Sequence, residues 1–399
     1  MRLIRNPELR GIIVLFLIIL ALAVVLAAAS GKLEQWFNIS LFSGPRALDR
    51  IVFVSIRSGA ADLYSMATDG SDQTRLTTGV RVLSAPAISP AGNRIVFVGL
   101  SGGAGQVFSV GGRGGEPELL TTTSVSKSKP GFSPDGKRLS FLAAGKLYIG
   151  APDGSDPDAV LPTREETHRA LTQREPLPTY RDYAWSSDGQ GIVAVARDKD
   201  GNDSVRYLPF SGESRVLLGV ARDPSGADVL VFVPDPANPE PKPLARVEKE
   251  ARVEGLAAAS GKPLFAFTMH VDGKQMLWLF DAQRGRLDPV IALEKQELGV
   301  PALSPDGASL VVPVRSRDQG IASGLVTMDL DSGRGSLITP GSFESAAFSP
   351  AGDRVLAVRV EGEGASRDIV AIDPDSGEVT QLTSDGRSFD PIWTPVSER

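Results

Sequence analysis

The chain has 399 residues, with 42 glycines, 29 prolines and a formal net charge of -6. The first 32 residues carry +3, so the remainder carries -9 and offers no basic field for nucleic acid. There are no cysteines, which excludes disulfides, thiolate catalysis and cysteine-ligated metals. Abundant glycine and proline among 42% apolar residues predict a soluble all-β body of short strands and tight turns, with one membrane element.

The membrane element is residues 11–29, nineteen residues without a charged side chain. As a helix this segment is roughly 28 Å long, close to the thickness of the hydrocarbon core of a bilayer. Arg2, Arg5 and Arg10 precede it, so the positive-inside rule keeps residues 1–10 cytoplasmic. The sequence therefore predicts a single-pass signal anchor in a bacterial cytoplasmic membrane, with the rest of the chain outside.

A cleaved signal peptide is the competing interpretation, because Ala27-Ala28-Ala29 before Ser30 fits a small-residue cleavage site. Residues 30–45 are predicted to be a juxtamembrane linker. Within it, Trp36 and Phe37 are suited either to the headgroup level of the membrane or to a short helix packed against the following domain.

One sequence motif recurs through residues 46–399. Its clearest copy is Ser133-Pro134-Asp135-Gly136, followed by the apolar residues Leu139 to Leu142. Proline, aspartate and glycine in this order predict a tight turn, and the apolar run predicts a buried strand. The other copies are Ser89-Pro90-Ala91-Gly92, Ser186-Ser187-Asp188-Gly189, Ser304-Pro305-Asp306-Gly307 and Ser349-Pro350-Ala351-Gly352. Buried strands start 44 residues apart at Ile51, Ile95 and Leu139, the period of a four-stranded propeller blade.

The two ends of the repeat complement each other. It begins with a second strand at Arg50 to Phe53 and finishes with a lone first strand at Asp390 to Pro395. Pairing of these segments removes two open sheet edges, so the sequence predicts a closed ring.

The segments Ala61 to Thr77 and Asp373 to Thr383 resemble blades of TolB-type, WD-repeat-like propellers. The resemblance covers about residues 46–396 and implies a fold, because the matching residues are structural. The additional N-terminal α/β domain of TolB, which contacts partners, has no counterpart here.

The number of blades depends on residues 186–258, which are long for one blade and short for two. Asp223-Pro224-Ser225-Gly226 followed by Val229 to Val233 supplies an extra turn and strand. We therefore predict eight blades, with seven as the alternative.

No catalytic constellation, cofactor site or metal site is predicted. The two histidines, His168 and His270, are 102 residues apart, and no cysteine supplements them. Oligogalacturonate lyases resemble this blade family but use a cluster of histidines, which this chain lacks.

Functional positions in propellers usually lie at the mouth of the central channel, near the start of each first strand. Counting four residues back from each turn serine gives one position per blade. The charged or polar positions are Lys129, Asp182, Glu254, Ser345 and Asp390, and the others are Ala85, Gly219 and Val300. We expect an electronegative socket for a cation, an amine or a basic peptide; solvated side chains that satisfy turn amides are the alternative.

The longest insertion, Pro162 to Arg181, is the second candidate site, as a lid or partner-binding loop or as a solvated loop. Its candidate residues are Arg164, His168, Arg169 and Arg174. Together these features predict a membrane-tethered, non-enzymatic scaffold that binds a protein or peptide and no nucleic acid. The alternative is a small-ligand or glycan-binding protein, or an enzyme that uses carboxylates at the channel mouth.

Overall fold

The computed structural model describes residues 50–233, 240–294, 296–316, 323–362 and 366–395. In these residues the strands form seven antiparallel sheets, the blades of a β-propeller. The predicted all-β propeller is confirmed with seven blades, and the prediction of eight is wrong. Each blade is numbered from its first strand, which stands at one edge of the sheet.

The first three blades follow the predicted period. Blade one contains β1 (Arg50–Ser55), β2 (Asp62–Ala67) and β3 (Thr74–Arg75). Blade two contains β4 (Ala87–Ile88), β5 (Arg94–Ser101), β6 (Ala104–Gly111) and β7 (Glu118–Leu119). Blade three contains β8 (Lys127–Phe132), β9 (Leu139–Ala143), β10 (Lys146–Gly150) and β11 (Asp158–Leu161). The helix α1 (Arg164–Gln173) follows.

Blade four has six strands: β12 (Thr179–Trp185), β13 (Gly191–Arg197), β14 (Asp203–Pro209), β15 (Arg215–Arg222), β16 (Asp228–Phe232) and β17 (Lys242–Arg246). The turn and strand that suggested an eighth blade are β16 and the turn before it. The strand β16 is antiparallel to β15, with Leu218 opposite Phe232 at one end and Arg222 opposite Asp228 at the other. The strand β17 in turn pairs with β16. Two strands cannot bury a sheet face alone, so they extend the existing sheet. Gly219 therefore lies in the fourth strand of blade four, not at the channel mouth as predicted.

The remaining blades complete the ring. Blade five contains β18 (Ala251–Ala258), β19 (Leu264–Val271), β20 (Lys274–Asp281) and β21 (Arg286–Leu293). Blade six contains β22 (Gln296–Leu298), β23 (Ala302–Leu303), β24 (Ser309–Ser316), β25 (Gly324–Asp329) and β26 (Gly335–Pro340). Blade seven contains β27 (Phe343–Phe348), β28 (Val355–Glu361), β29 (Ser366–Ile372) and β30 (Val379–Gln381).

The last strand, β31 (Ser388–Trp393), is the first strand of blade one and pairs with β1. The predicted closure is thus present. Adjacent blades pack through their second and third strands, whose side chains form clusters such as that of Val52, Leu63, Ile95 and Phe97. These side chains are at most 1% exposed, which explains the uninterrupted apolar runs in the sequence.

The recurrent turn joins the first and second strands. In blade three the Gly136 N–H donates to the Ser133 carbonyl at 2.8 Å, and Oδ1 of Asp135 accepts the Ser133 hydroxyl and the Lys137 N–H. Gly136 has φ 68°, a conformation that favours glycine. We call the side of the ring that carries these turns the turn face, and the side where the first strands begin the mouth face.

No helix in the described ranges is long and apolar enough to cross a membrane. The predicted cytoplasmic segment, anchor and linker (1–10, 11–29 and 30–45) lie outside those ranges and stay predictions.

Candidate binding face at the channel mouth

The first strands of the seven blades stand next to one another around the ring. Contacts join β4 to β8, β12 to β18, β18 to β23, β23 to β27 and β27 to β31. Since each first strand is at the edge of its own sheet, these edges line the central channel.

A β-bulge interrupts five of these first strands near their start. In blade three the pairs Ser128–Leu142 and Gly131–Ser140 enclose two residues of β8 opposite one residue of β9. The same irregularity occurs in β12, β18, β27 and β31. The bulged residues are Lys129 with Pro130, Arg181, Glu254, Glu344 with Ser345, and Asp390 with Pro391. A bulge re-aims side chains, so a bulge at this point in five blades turns one or two residues of each toward the mouth.

The predicted mouth positions coincide with this feature. Lys129, Glu254, Ser345 and Asp390 are bulged residues, and Asp182 directly follows the bulge of β12. Lys129 and Asp390 have φ values of 49° and 51°, in the left-handed region that side chains with a Cβ rarely occupy. Such strain is often retained at functional sites.

On one side of the mouth the charges are paired. Nζ of Lys129 lies 2.8 Å from Oδ1 of Asp182, which bridges blades three and four. The Tyr183 hydroxyl donates to the Lys129 carbonyl at 2.7 Å, and burial raises the pKa of this tyrosine. Lys129 and Asp182 thus neutralise each other rather than both facing an open socket.

On the other side, carboxylates from blades five, six and seven surround a pocket of about 190 Å³. Glu254, Glu297 and Glu344 line it together with Arg315, and Val300 forms part of its apolar wall. Glu254 is exposed, whereas Glu297 and Glu344 are half-buried. This pocket is the electronegative part of the mouth.

The carboxylates of Glu344 and Asp390 both interact with Arg367, between blades seven and one. Oε2 and Oε1 of Glu344 accept bonds from Arg367 at 2.9 and 3.0 Å. Burial raises the pKa of the Asp390 carboxyl, the Glu344 carboxylate raises it further, and Arg367 offsets part of that effect. The counting rule missed Glu344 because it assigned one residue to a bulge that holds two.

A second network joins blades four and five just below the mouth. The carboxylate of Asp203, on β14, is fully buried. Its Oδ1 accepts hydrogen bonds from Nε of Arg181 and Nε of Arg197, both at 3.0 Å. Its Oδ2 accepts the N–H of Val253 at 2.9 Å. The Arg181 bulge therefore connects two blades.

The predicted loop at 162–181 contains the helix α1, fastened to blade four by one carboxylate. Glu166 completes a capping box with Thr163, in which the Thr163 N–H donates to Oε2 at 2.7 Å. The same carboxylate accepts the Tyr180 hydroxyl at 2.9 Å and forms an ion pair with Arg206. Burial is the main cause that raises the pKa of Tyr180.

The predicted loop residues Arg164, His168, Arg169 and Arg174 lie at the surface of this segment. Arg169 pairs with Glu165 at 2.7 Å and lines a pocket of about 400 Å³ between α1 and the turn at Asp198 to Asp200. None of the four lines the carboxylate pocket of the mouth. The structure thus separates the two predicted sites.

We expect Glu166→Gln to release α1 while the ring stays folded, because the substitution removes the charge that pairs with Arg206 and weakens the hydrogen bonds that residue 166 accepts from Thr163 and Tyr180. Loss of the charge from these bonds costs about 2 kcal/mol, so amide exchange in α1 should accelerate roughly 30-fold. Hydrogen exchange followed by mass spectrometry measures this.

Glu165→Gln is the matched control on the same helix. Both side chains of the Glu165–Arg169 pair are exposed to solvent, so the pair contributes at most about 0.5 kcal/mol to the stability of the helix. Equal acceleration in both variants would show that the contact of Glu166 with blade four does not hold the helix.

No group of three or more metal-ligating side chains occurs in the described part of the chain. Nε2 of His270 accepts the Gly273 N–H at 3.0 Å and so holds a turn, and His168 lies on the surface of α1.

No protein-family model matches the sequence, and a search of curated proteins gave no match. Solved structures do match. TolB from Acinetobacter baumannii is 16% identical with a TM-score of 0.47, over 90% of this chain and 69% of that one. The periplasmic gluconolactonase of Pseudomonas aeruginosa is 18% identical with a TM-score of 0.53, over 87% of this chain and 99% of that one.

A putative 6-phosphogluconolactonase from Bacteroides fragilis is 14% identical with a TM-score of 0.51, over 89% of this chain and 98% of that one. At these identities a likeness shows the fold alone. The described part of the chain is thus a seven-bladed β-propeller, and TolB structures are among the solved structures that it resembles.

Proposed function

We propose that the protein is a non-enzymatic scaffold, tethered outside the bacterial cytoplasmic membrane, whose mouth face binds a basic segment of a protein or peptide. The observation that carries this proposal is the bulge in the first strands of five blades, which turns charged side chains to one mouth. On the side of blades five to seven these side chains are mostly carboxylates, so a lysine- or arginine-bearing segment complements them.

The tether is supported by the uncharged segment 11–29 and the arginines before it. The ring begins at Arg50, which is the start of a second strand and therefore lies at the turn face. A partner that approaches the mouth face thus meets the bulges rather than the point where the chain enters the ring.

A small-ligand or glycan-binding protein, or an enzyme, is the second candidate. The carboxylate pocket at Glu254 favours it, and two of the structures with the same fold are described as lactonases. The pocket of about 190 Å³ is below the usual range for ligand sites, roughly 300–1,000 Å³, so a side chain inserted by a partner fits it better.

The test compares what co-purifies with the full chain after gentle detergent extraction. In the mouth variant, Glu254→Gln, Glu344→Gln and Asp390→Asn remove three negative charges with little change of shape. Recovery of a protein partner should fall about tenfold or more, equivalent to ~1.4 kcal/mol.

The matched control removes three exposed carboxylates from turns between third and fourth strands: Glu213→Gln, Asp331→Asn and Glu378→Gln. Partner recovery should then stay at the wild-type level. A small molecule that leaves with the wild type only, with no protein, would favour the second candidate instead.

A further inference from the structure

The turn face carries a groove that neither the mouth nor α1 explains. It consists of two adjoining pockets, of about 570 Å³ between blades six and seven and about 450 Å³ between blades seven and one. Both pockets are lined by Ala351 and Asp353, in the turn after β27. Each volume is within the range of small-molecule sites, roughly 300–1,000 Å³.

Each pocket contains one aromatic ring at the same structural position. Phe348 ends β27 and lines the first pocket, and Trp393 ends β31 and lines the second. Both residues are half-buried, and Nε1 of Trp393 donates to the Ala347 carbonyl at 3.3 Å, which fixes the indole. The groove therefore offers two aromatic surfaces from successive first strands.

Each pocket also contains one arginine that forms no hydrogen bond or ion pair through its guanidinium with any described residue: Arg334 in the first and Arg354 in the second. Arg334 lies near enough to Asp329, and Arg354 to Asp373, to lower the pKa of that carboxyl, after the larger effects of bonds within each turn. Both arginines are exposed to solvent.

Arg354 differs from its counterparts in other blades, which stand at the same point before or at the start of the second strand. Arg50 pairs with Asp72 at 2.6 Å, and Arg94 donates to the Pro152 carbonyl at 2.9 Å. Arg138 lies over the rings of Trp185 and Phe210 at 4.9 and 4.8 Å. Blade seven keeps the arginine but supplies no hydrogen-bonded partner in the described residues, and a ligand can take that place.

The carboxylates of the groove are partly engaged by their own turns. Oδ1 of Asp306 accepts the Ser304 hydroxyl at 2.6 Å, and Oδ1 of Asp353 accepts the Ser349 hydroxyl at 2.7 Å. The Oδ2 atoms of both accept no hydrogen bond within the part of the chain that the structure describes. Each pocket thus presents a hydrogen-bond acceptor beside a hydrogen-bond donor.

We infer that this groove binds a neutral oligosaccharide, with one pyranose ring on Phe348 and another on Trp393. The C–H face of a pyranose packs on an aromatic ring, while vicinal hydroxyls need both an acceptor and a donor, which aspartate and arginine supply. Five aspartates against two arginines line the groove, which disfavours an acidic glycan: Asp69, Asp306, Asp329, Asp353 and Asp375. The groove and the mouth lie on opposite faces, so this inference does not depend on the proposed function.

Isothermal titration of the full chain with maltohexaose, cellohexaose and chitohexaose tests the inference, in a detergent without a sugar headgroup. At least one hexasaccharide should bind, and Arg354→Ala should weaken that binding about tenfold or more. Arg354 is exposed and without a hydrogen-bonded partner among the described residues, so this variant should fold as the wild type does. Phe348→Ala should weaken the binding of the same oligosaccharide.

Two controls keep the result specific. Arg94→Ala, at the counterpart position in blade two, should bind as the wild type does, and so should the triple mouth variant. The inference is overturned if none of the three oligosaccharides binds, if Arg354→Ala binds as tightly as Arg94→Ala, or if hexagalacturonate binds more tightly than the neutral sugars.

Discussion

Ending the chain at Arg387 is expected to abolish cooperative unfolding of the ring. This truncation removes β31, so β1 has no pairing partner on that side and the ring opens between blades one and seven. The hydrogen bonds that disappear include the Arg50 N–H to Oγ1 of Thr394 at 2.8 Å and the Thr394 N–H to the Arg50 carbonyl at 2.9 Å.

The apolar packing of β31 is equally important to the ring. Phe389 and Ile392 pack on the cluster that contains Val52, and Trp393 packs on the cluster that contains Ile51. At about 1.5 kcal/mol for each of these half-buried side chains, plus the strand bonds, removal of β31 costs on the order of 6 kcal/mol. This is comparable with the whole stability of a typical domain, about 5–15 kcal/mol.

Denaturant unfolding followed by tryptophan fluorescence measures this effect, with a chain that ends at Pro395 as the control. The control retains β31 and should unfold at the wild-type midpoint. If the chain that ends at Arg387 unfolds at the same midpoint, β31 does not close the ring.

Asp203→Asn should destabilise the protein by about 3–5 kcal/mol. The Asp203 side chain is fully buried and holds Arg181, Arg197 and the backbone N–H of Val253, so it joins blades four and five. The carboxylate raises the pKa of Arg197, chiefly through their hydrogen bond. Removing its charge leaves two partly buried guanidinium groups without the carboxylate that they share, and for Arg197 only the weaker electrostatic effects of Glu250 and Asp198 remain.

Asp228→Asn is the matched control in the same blade. Asp228 pairs with Arg222 at 3.2 Å, but the two side chains are 37% and 69% exposed, so the loss of stability should stay within about 0.5 kcal/mol. Equilibrium unfolding of both variants measures the difference. A loss of stability for Asp203→Asn no larger than that of the control would mean that solvent screens the buried network.

The fold was predictable because short sequence segments determine its turns and strands. The turn at Ser133 to Gly136 fixes one corner of a blade through its own side chains, and its period gives the repeat. The number of blades was not predictable in this way, because β16 has the turn and the apolar run of a blade strand. Which sheet such a strand joins depends on the free edge of β15, which the sequence pattern does not describe.

The positions of the candidate site residues were predictable from the sequence, but the ion pairs that these residues form were not. Counting back from the turns reached Lys129 and Asp390 because the bulge recurs at a fixed distance from each turn. The pairs Lys129–Asp182 and Glu344–Arg367 depend on the spacing of strands across the channel mouth, which no local pattern encodes.

The helix α1 had a signal in the sequence that did not enter the prediction. Thr163 followed three residues later by Glu166 is a capping-box pattern, and the structure shows both of its bonds. Its attachment through Tyr180 and Arg206 is again a tertiary contact between distant residues.

The most direct test of the mouth face as the binding surface is photo-crosslinking from single positions in cells. Ser345, in the bulge of blade seven, is replaced by a photo-crosslinking amino acid in one strain, and Asp331, on the turn face, in another. We expect a discrete protein adduct from position 345 and none from position 331. An adduct from position 331 with none from position 345 would contradict the account, because the partner would then bind the opposite face of the ring.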